Sequence, residues 1–200
     1  GVGLEQIAIG ADGAPWLAGS HGLSMWDAGA RRFAAVPGSP VARVCGFALA
    51  PDGHVWLAGV GELTRHRWDG ERLHPVDRFA GDDGVPLLAP SGLVLDGDGI
   101  VWVTTTRGLL RLDPATRALR RYGVRSGLPS QEFDSPPVAR VSDGRLLVGH
   151  PDGLLVFDPA VVRPATVGPE LAVETVDVRR GDARTAFDPR RPFVVAPGDR

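Results

Sequence analysis

FALAPDGHVWLAGVGELTRHRWDGERLHPV, residues 47–76, alternates apolar and polar residues in short runs. Each run stops at a turn signal: Pro51-Asp52-Gly53, then Gly59-Val60-Gly61, then Asp69-Gly70. Alternation with period two places one side chain in two on a buried face, and Asp-Gly pairs supply the positive φ that hairpin turns need. The spacing predicts an inner strand near Cys45–Leu49, a second over Val55–Ala58, a third over about Leu63–Trp68 and an outer one near Arg72–Val76. Four antiparallel strands in about 45 residues make one blade of a β-propeller.

The same pattern recurs outward in both directions. Asp-Gly turns stand at Asp12-Gly13, Asp52-Gly53, Asp98-Gly99 and Asp143-Gly144, in steps of 40, 46 and 45 residues. Such a period belongs to propellers and solenoids. Four residues after each Asp stands a large apolar residue (Trp16, Trp56, Trp102, Leu147), and seven further on stands Leu23, Leu63, Leu109 or Leu154. Gly22, Gly108 and Gly153 precede that Leu, with Glu62 the exception, and Trp26-Asp27, Trp68-Asp69, Leu112-Asp113 and Phe157-Asp158 close the pattern. Four blades follow, at about residues 1–40, 41–85, 86–130 and 131–162. The Trp column reads as packing between twisted sheets, which a flat ring fills well, in preference to a sugar-stacking platform. After Phe157-Asp158 only PAVVRP remains before a Pro-containing linker, too little for a good outer strand in the fourth blade.

Composition agrees. Glycine (27) and proline (18) exceed a fifth of the 200 residues, nearly twice the usual share, so turns are many and long helices excluded. No segment has the sustained 3.6-residue period of a helix. A net charge of −2 gives no electrostatic case for nucleic acid as a partner. The chain has Arg but no Lys or Asn, which fits a GC-rich bacterial genome. Cys45 is alone, excludes an internal disulfide and reads as a small buried thiol. The chain begins at Gly1 with no signal-peptide pattern, and we expect a segment of a longer polypeptide.

The unit DG-x-x-W-L/V-x-G/T-x-x-G-L-x-x-x-D resembles the two-component regulator propeller repeat of bacterial sensor proteins. DGDGIVWVTTTRGLLRLDPATRALRRY (96–122) matches well, GLPSQEF (127–133) is similar to the segment that introduces the family's final blade, and VSDGRLLVGHPDGLLVFDP (141–159) resembles that blade. The resemblance covers roughly residues 4–162; Leu147, Glu62 and two extra residues before Trp68 depart from it. It implies part of a propeller of about seven blades, with open faces covered by further blades or a second copy. It also implies that 163–200 are a linker and the first strands of an immunoglobulin-like sandwich. Val176-Asp177-Val178, a turn at Arg180-Gly181-Asp182, Ala186-Phe187 and Phe193-Val194-Val195 carry that last expectation. Functionally, it implies a non-catalytic sensory input module, periplasmic, in an inner-membrane receptor with a histidine kinase or diguanylate cyclase output. The partner would be a small molecule or glycan, with membrane contact only through the parent receptor.

The residues themselves leave two alternatives open: a propeller enzyme similar to streptogramin lyases, and a protein-binding scaffold. Three residues past the Trp column stand Gly19, Gly59, Thr105 and His150, of which only His150 could serve as a base. No nucleophile elbow, zinc-binding His pattern or cofactor motif occurs, so we expect neither catalytic nor metal residues and no cofactor. Asp96-Gly-Asp98-Gly reads as a tight turn; it lacks the later ligands of a calcium loop. The last variable position of the loop after the second strand holds His21, Gly61, Arg107 and Asp152, and equivalent loops gather on one propeller face. His21, Arg107 and Asp152 are therefore the candidate ligand contacts. A basic strip (Arg107, Arg111, Arg117, Arg120, Arg121, Arg125) reads as a solvated outer strand, with an acidic glycan or partner domain as the sharper alternative.

Overall fold

Hairpin after hairpin, each repeat folds into its own antiparallel meander. In a computed structural model describing residues 3–86, 90–133, 138–162, 176–180, 183–188 and 194, the chain divides into two units, 1–163 and 164–200. The first holds four sheets. Blade one is β1 (Leu4–Ile9), β2 (Pro15–Gly19), β3 (Gly22–Asp27) and β4 (Arg32–Ala35). Blade two is β5 (Gly46–Leu49), β6 (His54–Gly59), β7 (Glu62–Trp68) and β8 (Leu73–Phe79). Blade three is β9 (Pro90–Leu95), β10 (Val101–Thr105), β11 (Gly108–Asp113) and β12 (Ala118–Tyr122). Blade four has β13 (Val138–Arg140), β14 (Leu146–His150) and β15 (Gly153–Phe157), then a single 3-10 turn, Pro159–Val161, where an outer strand would start. Helix among the described residues is confined to three such single turns. The chain is all-β, with four blades in a propeller arrangement.

Strands pair in sequence order within each sheet, and the first strand of each lies innermost, β1, β5, β9 and β13 approaching one another. Backbones come so close there that a Cβ on Gly46 would sit 2.7 Å from Gly92 C, and one on Gly92 would sit 2.3 Å from Val138 Cγ1. Gln6 of β1 bridges two inner strands: its Nε2 donates to Phe47 O (2.8 Å) and Leu93 O (3.0 Å), and its Oε1 accepts from Phe47 N (3.1 Å) and Leu93 N (3.2 Å).

The repeat columns become the interfaces between blades. Trp16, Ala18 and Leu23 of blade one pack with Phe47, Val55 and Leu57 of blade two. One register later, Trp56, Ala58 and Leu63 pack with Leu93, Val101 and Val103 of blade three. Trp16, Trp56 and Trp102 are 3%, 3% and 2% exposed, so the column is packing. At the fourth blade Leu147 takes the column, and Trp102 is finished by Leu146 and by Phe157, edge-on at 5.2 Å. The outward faces of the end blades are apolar and open: Ile7 and Ile9 on the first are 57% and 63% exposed, Leu154 on the fourth 58%. Cys45 is buried, and burial pushes its thiol pKa up, away from reactivity.

The Gly of the Gly-Leu column has a steric cause. Gly108 has φ +112, and a Cβ there would lie 2.1 Å from Tyr122 O; Gly22 has φ +90 and would meet Pro40 O at 2.0 Å. Blade two tolerates Glu62 because the positive φ moves one residue earlier, to Gly61 at +73. The connections into blades three and four share a feature that the columns did not reveal. Gly81–Asp83 and Val124–Ser126 each form a 3-10 turn closed by a left-handed Gly, Gly84 or Gly127.

In the second unit, β16 (Val176–Arg180) and β17 (Ala183–Phe187) pair antiparallel, while Gly181 and Asp182 of the expected turn lie outside the described residues. A hairpin alone does not define an immunoglobulin-like sandwich. The linker 163–175, Phe193 and Val195 lie outside the described residues.

Candidate functional site

Each blade ends its second strand in a two-residue turn, and the candidate residues occupy the second place in it. His21 follows Ser20 between β2 and β3, Arg107 follows Thr106 between β10 and β11, and Asp152 follows Pro151 between β14 and β15. All three are exposed. Arg107's turn is braced twice: its N–H donates to Thr105 Oγ1 at 3.1 Å, and its carbonyl accepts from Gln131 Nε2 at 2.8 Å. Gln131 belongs to GLPSQEF, whose Phe133 is fully buried and donates its N–H to Thr105 O at 2.9 Å. His21 lines a recess of about 390 Å³ on the outward face of blade one, with Leu17, Ser24 and Phe33. Asp152 N donates to His150 Nδ1 at 3.3 Å. Among the described residues no hydrogen bond or ion pair joins His21, Arg107 and Asp152 to one another, so each presents its charge or ring from its own blade.

His150 is occupied. Besides accepting from Asp152, its ring stands edge-on to Phe133 with centroids 6.1 Å apart, and no carboxylate contacts it among the described residues. That arrangement orients an imidazole but supplies no acid–base pair.

At the opposite ends of the strands lies an axial cleft of about 580 Å³, lined by residues of all four inner strands, Arg140 among them, and by Asp52, Asp96 and Asp98 of the turns in blades two and three. Both oxygens of Asp96 are engaged: Oδ1 accepts from Asp98 N and Ile100 N at 3.0 Å each, and Oδ2 accepts from the Trp102 indole at 2.8 Å. The Asp-Gly-Asp-Gly run is therefore a tight turn. No group of three or more His, Cys, Asp or Glu among the described residues is arranged to hold a metal ion. A hydrogen bond from His54 holds the Asp52 carboxyl below the usual carboxylate range. A further pocket of about 460 Å³ opens between blades one and two, lined by Asp12, Trp16, His54 and Trp68 among others.

The basic strip divides. Arg117 reaches back to blade two, where it donates to Asp83 Oδ1 (2.8 Å) and Arg78 O (3.0 Å) and lies 4.1 Å from the Phe79 ring centroid. Arg111 covers the Trp102 ring at 6.0 Å. Both act as structural staples, while Arg107, Arg121 and Arg125 are exposed. Gln6 and Gln131 carried no sequence signal: neither falls in a repeat column, and their bonds exist only once distant segments meet.

Against known proteins, no family model matches the chain, and no curated protein matches it by sequence. Solved structures do match. The extracellular domain of the B. thetaiotaomicron protein BT4673, assigned to a hybrid two-component system, superposes with TM-score 0.61 at 14% identity. That superposition covers 92% of this chain and 24% of that one, so the chain spans about a quarter of the domain's length. The WD40 β-propeller domain of Doa1 gives 0.56 at 14% identity, covering 76% and 49%. Virginiamycin B lyase from Staphylococcus aureus gives 0.51 at 17% identity, covering 95% of this chain and 71% of the lyase. These likenesses establish the propeller fold.

Proposed function

We propose that these 200 residues are part of the extracytoplasmic sensory module of a bacterial transmembrane receptor, non-catalytic themselves, whose output is a histidine kinase or diguanylate cyclase. The observation that carries this reading is the superposition of 92% of the chain on the extracellular domain of a hybrid two-component system. The repeat's resemblance to the two-component regulator propeller points the same way. In this reading the chain lies on the periplasmic side, 163–200 begins an immunoglobulin-like domain, and further blades or a second copy cover the apolar end faces. No helix among the described residues is long and apolar enough to cross a membrane. A small molecule or glycan binds on the face carrying His21, Arg107 and Asp152. Binding biases the receptor between two packings by its difference in affinity for them.

The lyase superposition favours a second reading, a propeller enzyme. Against it stands His150, spent on Asp152 and Phe133 with no paired carboxylate. One experiment separates the two. Thermal shifts of the chain are measured against a metabolite and oligosaccharide panel, and each hit is then followed for turnover. A hit that is not consumed, and whose stabilisation falls on Arg107→Ala, supports the sensor. Consumption abolished by His150→Ala moves the chain to the lyases, and hits indifferent to His21, Arg107 and Asp152 remove that face from the reading.

A further inference from the structure

Each blade holds the turn between its first two strands with a carboxylate that accepts a backbone N–H at the start of the second strand or one residue before it. In three blades the carboxylate stands mid-turn: Asp12 serves Ala14 N at 3.0 Å, Asp52 serves His54 N at 3.1 Å and Asp143 serves Arg145 N at 3.1 Å. Blade three takes it from two residues earlier. Asp96 serves Ile100 N, and its other oxygen receives the Trp102 indole N–H at 2.8 Å. The position of Asp96 is Gly10 in blade one, Ala50 in blade two and Val141 in blade four.

Gly10 carries no side chain where blade three has a carboxylate, and its neighbours stand close, Ala14 O within 3.3 Å of an added Cβ. A Cβ there would stand 3.0 Å from Trp16 Nε1 and 2.7 Å from Asp12 Oδ1. Trp16 Nε1 has no hydrogen-bond partner among the described residues, although its ring is 3% exposed. Gly10, Asp12 and Trp16 line the 460 Å³ pocket together with Ile9, Leu49, Val55 and Trp68. Trp68 meets Trp16 edge-on, centroids 5.1 Å apart. Blade two differs: Ala50 stands in the place of Gly10, and Phe79 (5.8 Å) and the Arg65 guanidinium (5.6 Å) pack on Trp56.

We propose that this pocket binds a flat, uncharged ring compound bearing a carboxamide or similar carbonyl group. Its carbonyl oxygen takes the Trp16 indole N–H in the place that Asp96 Oδ2 takes at Trp102. Its amide N–H donates to the Asp12 carboxylate, and its ring lies among Leu49, Val55 and Trp68. The volume is that of a small-molecule site, apolar with a few convergent polar groups. Asp12, the carboxylate of the lining, repels an anionic head group, which selects a neutral one. The pocket opens at the end of the strands opposite the His21, Arg107 and Asp152 turns and does not depend on the sensory reading.

The probe is benzamide, titrated into the 15N-labelled protein while the five Trp indole N–H signals are followed. The Trp16 signal moves saturably and the Trp26 and Trp102 signals stay. Gly10→Asp puts a side chain against Trp16 Nε1 and Asp12, crowds the polar end of the pocket and weakens benzamide at least about tenfold, with the other indole signals unmoved. Trp16→Phe keeps the ring, removes the N–H and weakens it similarly. Benzoate, the same ring with an anionic head, binds at least about tenfold more weakly than benzamide. A Trp16 signal unmoved at saturating benzamide, unchanged affinity in both variants, or benzoate binding as tightly each overturns the proposal.

Discussion

Gly108→Ala is the sharpest test of the blade geometry, because two separable costs meet there. The first is backbone strain: φ is +112, outside even the left-handed region other residues visit, which costs about 1–3 kcal/mol. The second is contact. The new Cβ would lie 2.1 Å from Tyr122 O and 3.1 Å from Tyr122 C, backbone atoms held by the β11–β12 ladder at the Leu109–Tyr122 pair. No rotamer relieves that overlap. The outer strand must move, which adds roughly 1–3 kcal/mol as overpacking does elsewhere. Together they place Gly108→Ala at about 2–6 kcal/mol, above the typical single substitution over most of that range. Gly99→Ala isolates the first cost, since Gly99 has φ +78 and nothing within 4 Å of its added Cβ. It should lose only about 1 kcal/mol. Urea unfolding followed by Trp fluorescence, near the transition midpoints of all three proteins, reads the difference. Equal losses in the two variants would refute the close approach of β11 and β12 and leave only backbone strain.

Gln6→Ala removes four hydrogen bonds from the inner-strand backbones of Phe47 and Leu93 and should cost about 2–4 kcal/mol, with amide exchange accelerated at those two residues; unchanged exchange there counts against the bridge. His66 is buried, and burial lowers its pKa below 6.5. The unfolded chain therefore takes up a proton that the folded one refuses, so stability falls as pH drops below about 6.5 towards the lower folded value. His66→Gln should flatten that part of the stability–pH curve relative to the parent. The Arg117 hydrogen bond holds the Asp83 carboxyl below its ordinary range, so its contribution is present above pH ~3.9 and is lost as pH falls through the lower folded value. In an NMR titration Arg117→Ala should return Asp83 towards the ordinary range; no movement would mean the ion pair does not persist in solution.

The repeat arithmetic carried most of the fold because a blade is built from local pairings, and local pairings leave local patterns. The strands expected in residues 45–76 appear within a residue or so, except that β8 continues to Phe79. Among the described residues the fourth blade has three strands, in keeping with the shortness of PAVVRP. What was illegible is what crosses blades. Arg117 was counted with a solvated strip, yet its guanidinium lies on a ring 38 residues back in the sequence, at Phe79. Glu62 looked like a defect in a column, but the turn needs one positive φ and can take it from Gly61. For the candidate site the sequence supplied the turns that present His21, Arg107 and Asp152. It could not supply Gln131, which braces one of them from 24 residues away.

The Gln6 bridge has a kinetic consequence. Blades made of sequential hairpins can form on local contacts, in microseconds for each hairpin. The bridge, by contrast, closes chain separations of 41 residues to Phe47 and 87 to Leu93. Doubling a loop adds only about 0.6 kcal/mol of closure entropy, little against two further hydrogen bonds. Thermodynamically the longer loop is no obstacle; the requirement is order of arrival. Neither acceptor exists as a strand until blades two and three have been synthesised and paired. Synthesis in the N-to-C direction thus delivers Gln6 well before its acceptors, and the bridge stays incomplete until residue 93 is in place, although β1 is already paired with β2.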